Sequence, residues 1–228
     1  MNLLPLRKKI RTTLRLALTI ACLVAASPTL IPVTGVPRAS RAAADRESTT
    51  PFLATFIGQV TNGHADQITG VYSSGILADP VVQQPVGQAT YISLADGTLT
   101  QFQSASAYGS QGFLAHNDLA GKSFALLAVG DLLVLVHGDG SLSFYRVQQV
   151  RRFQAVHPGS PYSDFIDTDS SSRLAYDELF YAIYGVSGRV VLQTCINADG
   201  IGSWGRLFVI ALPLTLDGVT RFPKSGAE

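Results

Sequence analysis

Residues 132–147 read LLVLVHGDGSLSFYRV, two β-rich runs on either side of a Gly-Asp-Gly turn. Branched and aromatic side chains suit a pleated, half-buried surface, and glycines beside an aspartate supply the backbone freedom of a tight hairpin. No helix follows these glycines, so the turn is not a phosphate-binding loop. The same pattern extends in both directions. Short apolar runs at 52–60, 68–73, 89–94, 99–102, 112–116, 132–136, 142–147, 190–195 and 207–212 alternate with Gly, Asp and Asn turn signals. Many short strands with regular turns predict an all-β barrel or sandwich. One helix interrupts them. Ser170 or Ser171 caps a segment running to Tyr184, with Tyr176, Phe180, Ile183 and Tyr184 on one face and Gly185 as its stop. It falls in a long insertion between strands, from about Gln154 to Gly188.

The 228 residues suffice for one substantial domain with appendages. Apolar residues make up 46% and charged residues 14%, enough to build a large core. The net charge of +1 gives no reason to expect a nucleic-acid partner. Basic residues cluster only at the start: Arg7, Lys8, Lys9, Arg11 and Arg15 precede the apolar run Leu16 to Ala26. That is the pattern of an export signal. Ala42-Ala43-Ala44 before Asp45 offers a cleavage site. The competing reading is a retained signal-anchor, against which Pro28 and Pro32 interrupt the roughly 20 apolar residues a spanning helix wants. Residues 1–44 are therefore an export signal or signal-anchor with the start of a linker, 45–50 the rest of the linker, and 51–228 the folded domain. Its expected place is outside the cytoplasm, secreted or attached to the outer face of the membrane through the N-terminal apolar segment. Cys22 does not make a lipobox, because Thr19 stands where leucine is wanted and Leu23-Val24 follow.

With the leader set aside, Cys195 is the one cysteine left, and so cannot be half of an intrachain disulfide. It is either a small buried hydrophobe or a reactive thiol. It closes the run Val190-Val191-Leu192-Gln193-Thr194, and eleven residues later Arg206 opens Leu207-Phe208-Val209-Ile210-Ala211. If the two runs pair as a hairpin, Cys195 and Arg206 meet at one end of the barrel. Alternation places Cys195, Gln193 and Val191 on one face, and Arg206, Phe208 and Ile210 on one face. Of the four histidines, His64, His137 and His157 sit in turns, whereas His116 ends an apolar run and opens a polar loop. A thiol needs an acid/base partner to attack a carbonyl and release an amine, and a donor for the oxyanion. Arginine suits the last task, being always charged and rich in donors. His116, Cys195 and Arg206 thus form a minimal set for acyl transfer.

Here a family resemblance enters. LQTC (192–195) followed by WGRLFVIA (204–211) is similar to the sortase signature, a Thr-Cys strand end with a downstream arginine. FLAHNDLAGKSFALLAVGDLLVLVHGDGSLSFYRV (113–147) resembles the catalytic-histidine segment of that family. The similarity covers most of Pro80 to Leu212, VVQQP (81–85) included. Where many members carry Gly-His-Arg, this chain has Ala115-His116-Asn117, with the histidine kept. The resemblance implies a closed eight-stranded β-barrel with a groove holding the three residues. It implies a substrate protein ending in a sorting signal similar to Leu-Pro-x-Thr-Gly, a thioacyl intermediate on Cys195, His116 as acid and base, and Arg206 on the oxyanion. The acyl group would pass to an amine on a cell-wall precursor, to a pilin lysine, or to water.

Asp167-Thr168-Asp169-Ser170-Ser171 with Glu178 matches part of a calcium loop, but the required glycine is Ser172 and helix follows, so acidic helix capping explains it more simply. No cofactor or metal is expected. Two rivals remain: a hydrolytic cysteine peptidase on the same site, and a barrel that binds peptide with Cys195 inert. A papain-like protease is disfavoured, since its cysteine precedes its histidine.

Overall fold

A computed structural model describes residues 51–160 and 162–214. The leader, its cleavage or anchor site and the linker, all expected within 1–50, lie outside the described residues, as does Cys22. Ten strands form one sheet: β1 (Ile68–Ser73), β2 (Leu77–Gln83), β3 (Leu99–Phe102), β4 (Gln111–Leu114), β5 (Leu132–His137), β6 (Leu142–Ala155), β7 (Phe165–Asp167), β8 (Arg173–Leu174), β9 (Val190–Ala198) and β10 (Ile201–Pro213). The order is β10-β9-β4-β3-β2-β1-β5-β6-β7-β8, and β10 also pairs with β6. That extra ladder closes an eight-stranded barrel and leaves β7 and β8 as a flap continuing from β6. The pairs β2/β3 and β4/β9 are parallel and the rest antiparallel. The expected closed barrel with a helix-bearing insertion is present.

Strand alternation builds two cores from the same strands. Val190 and Leu192 of β9 and Leu207, Val209 and Ala211 of β10 fill the barrel with Leu99, Phe113, Phe124 and Leu135. Val191, Phe208 and Ile210 point the other way, into a second core with Phe102, Phe153, Phe165, Phe180 and Tyr184. An outer face this apolar must be covered, and the insertion between β6 and β9 covers it. Its helix α3 (Tyr176–Tyr184; labels run α1 Leu53–Val60, α2 Gln103–Ser106, α3) buries Leu179, Phe180, Ile183 and Tyr184. Phe180 packs edge-on against Phe102 and Tyr108. Large aromatic side chains supply most of the area buried there.

Several elements differ from expectation. The run 52–60 is helix α1, because Leu53, Phe56, Ile57 and Val60 recur at helical spacing and pack on Tyr72, Val134 and Val136. The run 89–94 is irregular, held by Gln84, whose side-chain amide donates to Ala89 O and Tyr91 O. Strand β2 was not expected; its parallel ladder to β3 begins at Val81, just after Pro80, which has no N–H to donate. Helix α3 begins at Tyr176, not at a serine cap. Glu178 reaches back to accept from Ala175 N, and Ser170–Ser172 belong to a preceding turn. No helix among the described residues is long and apolar enough to cross a membrane.

Candidate active site

Cys195 and Arg206 are direct partners in the β9–β10 ladder. Facing residues of an antiparallel pair share a face, with Cβ atoms about 5 Å apart. Both lie within longer strands rather than at a strand end and a strand start, since β9 runs on to Ala198 and β10 begins at Ile201. The irregularity between Ile201 and Gly205 ends regular pairing just beyond them, which preserves their position at the margin of the regular ladder.

His116 arrives from β4. That strand runs parallel to β9, with Leu114 opposite Gln193. Carrying the ladder two residues further sets His116 beside Cys195. Both side chains line one cleft together with Ile92, Leu114, Ala115, Gln193 and Thr194. The three expected residues are therefore brought to one region, on the outer face of the barrel beneath the insertion rather than inside the barrel.

Two local devices hold His116. Ala115 N donates to Gln193 O at 3.2 Å, and Thr194 Oγ1 donates back to Ala115 O at 2.9 Å. The chain then turns at once, with Leu119 N and Gly121 N both donating to His116 O. Gly121 is required there: a Cβ would lie 2.3 Å from Thr194 Oγ1 and 2.6 Å from His116 O. Nothing in a single sequence marks Thr194 or Gly121 for this task, because the contact joins residues far apart in the chain.

Arg206 is 6% exposed. Its Nη1 donates to the carbonyls of Gly205 and Ser203, and its guanidinium carbon stands 5.8 Å from the centre of the Phe165 ring. No carboxylate neutralises it among the described residues; the nearby Asp167 is taken by Arg151. Burial alone pushes its pKa down to about 10, which leaves it cationic at neutral pH. A buried, uncompensated cation beside a cleft is prepared to accept developing negative charge.

In the structure Cys195 is disulfide-bonded. The expectation that it cannot be half of a disulfide, reached with the leader set aside, is thereby corrected. Nucleophilic chemistry at Cys195 belongs to the reduced chain, since only a thiolate attacks.

The remaining candidates take structural places. His137 ends β5, with Nε2 2.8 Å from Ser143 Oγ. Asp167 accepts from the backbone of Asp169 and Ser170 and pairs with Arg151, so it organises a turn rather than capping the helix. No group of three metal-ligating side chains occurs among the described residues. A wider cavity of about 560 Å³ lies elsewhere, lined by Asp79, Asp96, Lys122 and Ser123 among others. Burial, reinforced by Asp96, raises the Asp79 carboxyl to about 6, with Lys122 opposing.

The fold and site define a closed β-barrel carrying a cysteine, a histidine and an arginine on one outer face. No family model matches the chain, and no curated protein matches it. Among solved structures it is similar to sortase C1 from Streptococcus suis, at 14% identity and a TM-score of 0.44 over 80% of this chain and 100% of that one. Sortase C from Clostridium perfringens gives 14% and 0.39, over 79% and 93%. Listeria monocytogenes sortase A gives 12% and 0.38, over 67% and 94%. Likeness at this level says nothing of function, which has to come from the site itself.

Proposed function

We propose that the chain is a sortase-like cysteine transpeptidase. The observation that carries this reading is the convergence of Cys195 with Arg206 across one ladder and with His116 across one cleft. In the reduced protein the Cys195 thiolate attacks the threonine carbonyl of a sorting signal similar to Leu-Pro-x-Thr-Gly. The C–S bond forms and the carbonyl oxygen becomes an oxyanion facing Arg206. Collapse breaks the C–N bond, and His116 donates its proton to the departing glycine amine. An acceptor amine then attacks the thioester while His116 takes up its proton. A new amide forms and the thiolate leaves. Once Cys195 is reduced, each proton and bond in these steps is accounted for by Cys195, His116 and the two amines.

The substrates would be proteins bearing such a signal, and the acceptor an amine of a cell-wall precursor or a pilin. The expected place of action is outside the cytoplasm, by secretion or by attachment through the leader. With water as acceptor the same site would be a peptidase.

The test is intact-mass spectrometry of the reduced chain from Asp45, mixed with sorting-signal peptides with and without an added amine. An acyl adduct on Cys195, absent in Cys195→Ala and lost in His116→Ala, is expected. Amide product formed with the amine present identifies transfer; hydrolysed peptide in both mixtures identifies the peptidase. If no peptide acylates Cys195, the reading fails.

A further inference from the structure

We infer that Gln193 is a substrate-binding residue, its side-chain amide donating a hydrogen bond to a main-chain carbonyl of the peptide lying in the cleft. The inference deepens the transpeptidase reading and rests on it. Gln193 lies on the same face as Cys195, one alternation away along β9, and lines the cleft that His116 and Cys195 share. Its neighbours on that face are apolar: Val191 before it, Leu114 across the parallel ladder and Phe208 across the antiparallel one. A polar side chain in such surroundings, 6% exposed, costs stability unless its hydrogen bonds are made.

One half is made within the fold. Tyr184, fully buried at the end of α3, donates from Oη to Gln193 Oε1 at 2.6 Å. That contact fixes which end of the amide faces the helix. The other end, Nε2, carries two donors. No acceptor among the described residues lies against it, yet it is not sealed in as an unsatisfied buried atom, so it opens to the cleft. A donor fixed on the floor, one strand repeat from the sulfur, suits a peptide carbonyl adjacent to the one under attack. Tyr184 belongs to α3, so Gln193 is oriented by the insertion as well as by the barrel strand that carries it.

The experiment compares two electrophiles on the reduced chain from Asp45: iodoacetamide, which needs only the thiolate, and a pool of tetrapeptidyl chloromethyl ketones with threonine next to the reactive group. Gln193→Met keeps the length and loses the donor; Tyr184→Phe keeps the ring and frees the amide. The expected result is a loss of about 3- to 10-fold in the peptidyl rate for Gln193→Met, a smaller loss for Tyr184→Phe, and iodoacetamide rates unchanged in both. Equal changes with the two reagents, or none with either, in variants that keep the parent melting temperature would overturn the assignment. An iodoacetamide profile across pH that ignores His116→Ala would instead overturn the transpeptidase reading, and this inference with it.

Discussion

Arg206 stands directly across the ladder from Cys195, buried and held by the carbonyls of Ser203 and Gly205. The position gives it little freedom to rotate away and no carboxylate partner to neutralise it among the described residues. On the proposed transpeptidase reading its charge serves an oxyanion formed above the sulfur, and its removal then has a defined consequence. Arg206→Ala is expected to lower the acylation rate about 100- to 1,000-fold while changing iodoacetamide alkylation of Cys195 by only a few fold. Arg206→Lys should not rescue, because an ammonium lacks the planar fork that meets both carbonyls and the Phe165 ring together. Single-turnover rates with both reagents check the split.

Thr194 acts through His116. Its hydroxyl donates to Ala115 O, the residue before the histidine, and packs against Gly121, whose amide closes the turn on His116 O. Thr194→Val keeps the shape, loses the donor and leaves a buried carbonyl unpaired, at a cost of about 1–3 kcal/mol. The expected signature is a changed pH profile of Cys195 alkylation, restored by Thr194→Ser. A purely structural role would lower stability in Thr194→Val and leave that profile unmoved.

The candidate site was readable because Cys195 and Arg206 lie in regular strands and His116 just follows one, and alternation sorts such residues onto faces. Cys195 with Val191, and Arg206 with Phe208 and Ile210, follow that rule. What alternation could not tell was which face is inside. Both cores are apolar, and only the insertion's aromatic helix makes the outer face a second interior. The same blindness explains the role of Gln193: its place on the face was legible, whereas its partner Tyr184 arrives from a separate element. Helix α1 was missed for a different reason. Its apolar residues Leu53, Phe56, Ile57 and Val60 fit a helical stripe, but the surrounding β-rich pattern favoured strand.

Asp79 predicts a dependence of stability on pH. Its folded carboxyl titrates near 6, above its ordinary 3.8, chiefly through burial. The folded chain holds that proton more tightly than the unfolded chain, so this contribution is full below 3.8 and is lost as pH rises through about 6. Lys122 offsets little, being exposed and paired to Asp96 at 3.6 Å. Asp79→Asn removes the ionisation while keeping the shape. The variant is expected to melt higher than the parent at pH 8, by at most about 3 kcal/mol of stability, and level with it at pH 4. Calorimetry at the two pH values checks the crossover; equal shifts at both would show that the carboxyl's charge is not the cause.

Gly70 predicts how α1 is attached. A Cβ at this position of β1 would lie 2.7 Å from Phe56 Cζ and 3.1 Å from Val60 Cγ2, so the strand has no side chain there in order that the helix can sit on it. Phe56 is 2% exposed and stacks obliquely on Tyr72 at 6.0 Å. Gly70→Ala should therefore displace the helix and leave the strand ladder in place, since β1 pairs with β2 and β5 through its backbone. The expected cost is about 1–3 kcal/mol, the usual range for overpacking a filled core. Amide hydrogen exchange localises it. Residues 53–60 should lose protection in the variant, while the amides of β9 and β10 keep theirs and Cys195 alkylation is unchanged. Loss of protection spread evenly over the barrel would mean instead that Gly70 serves the strand itself.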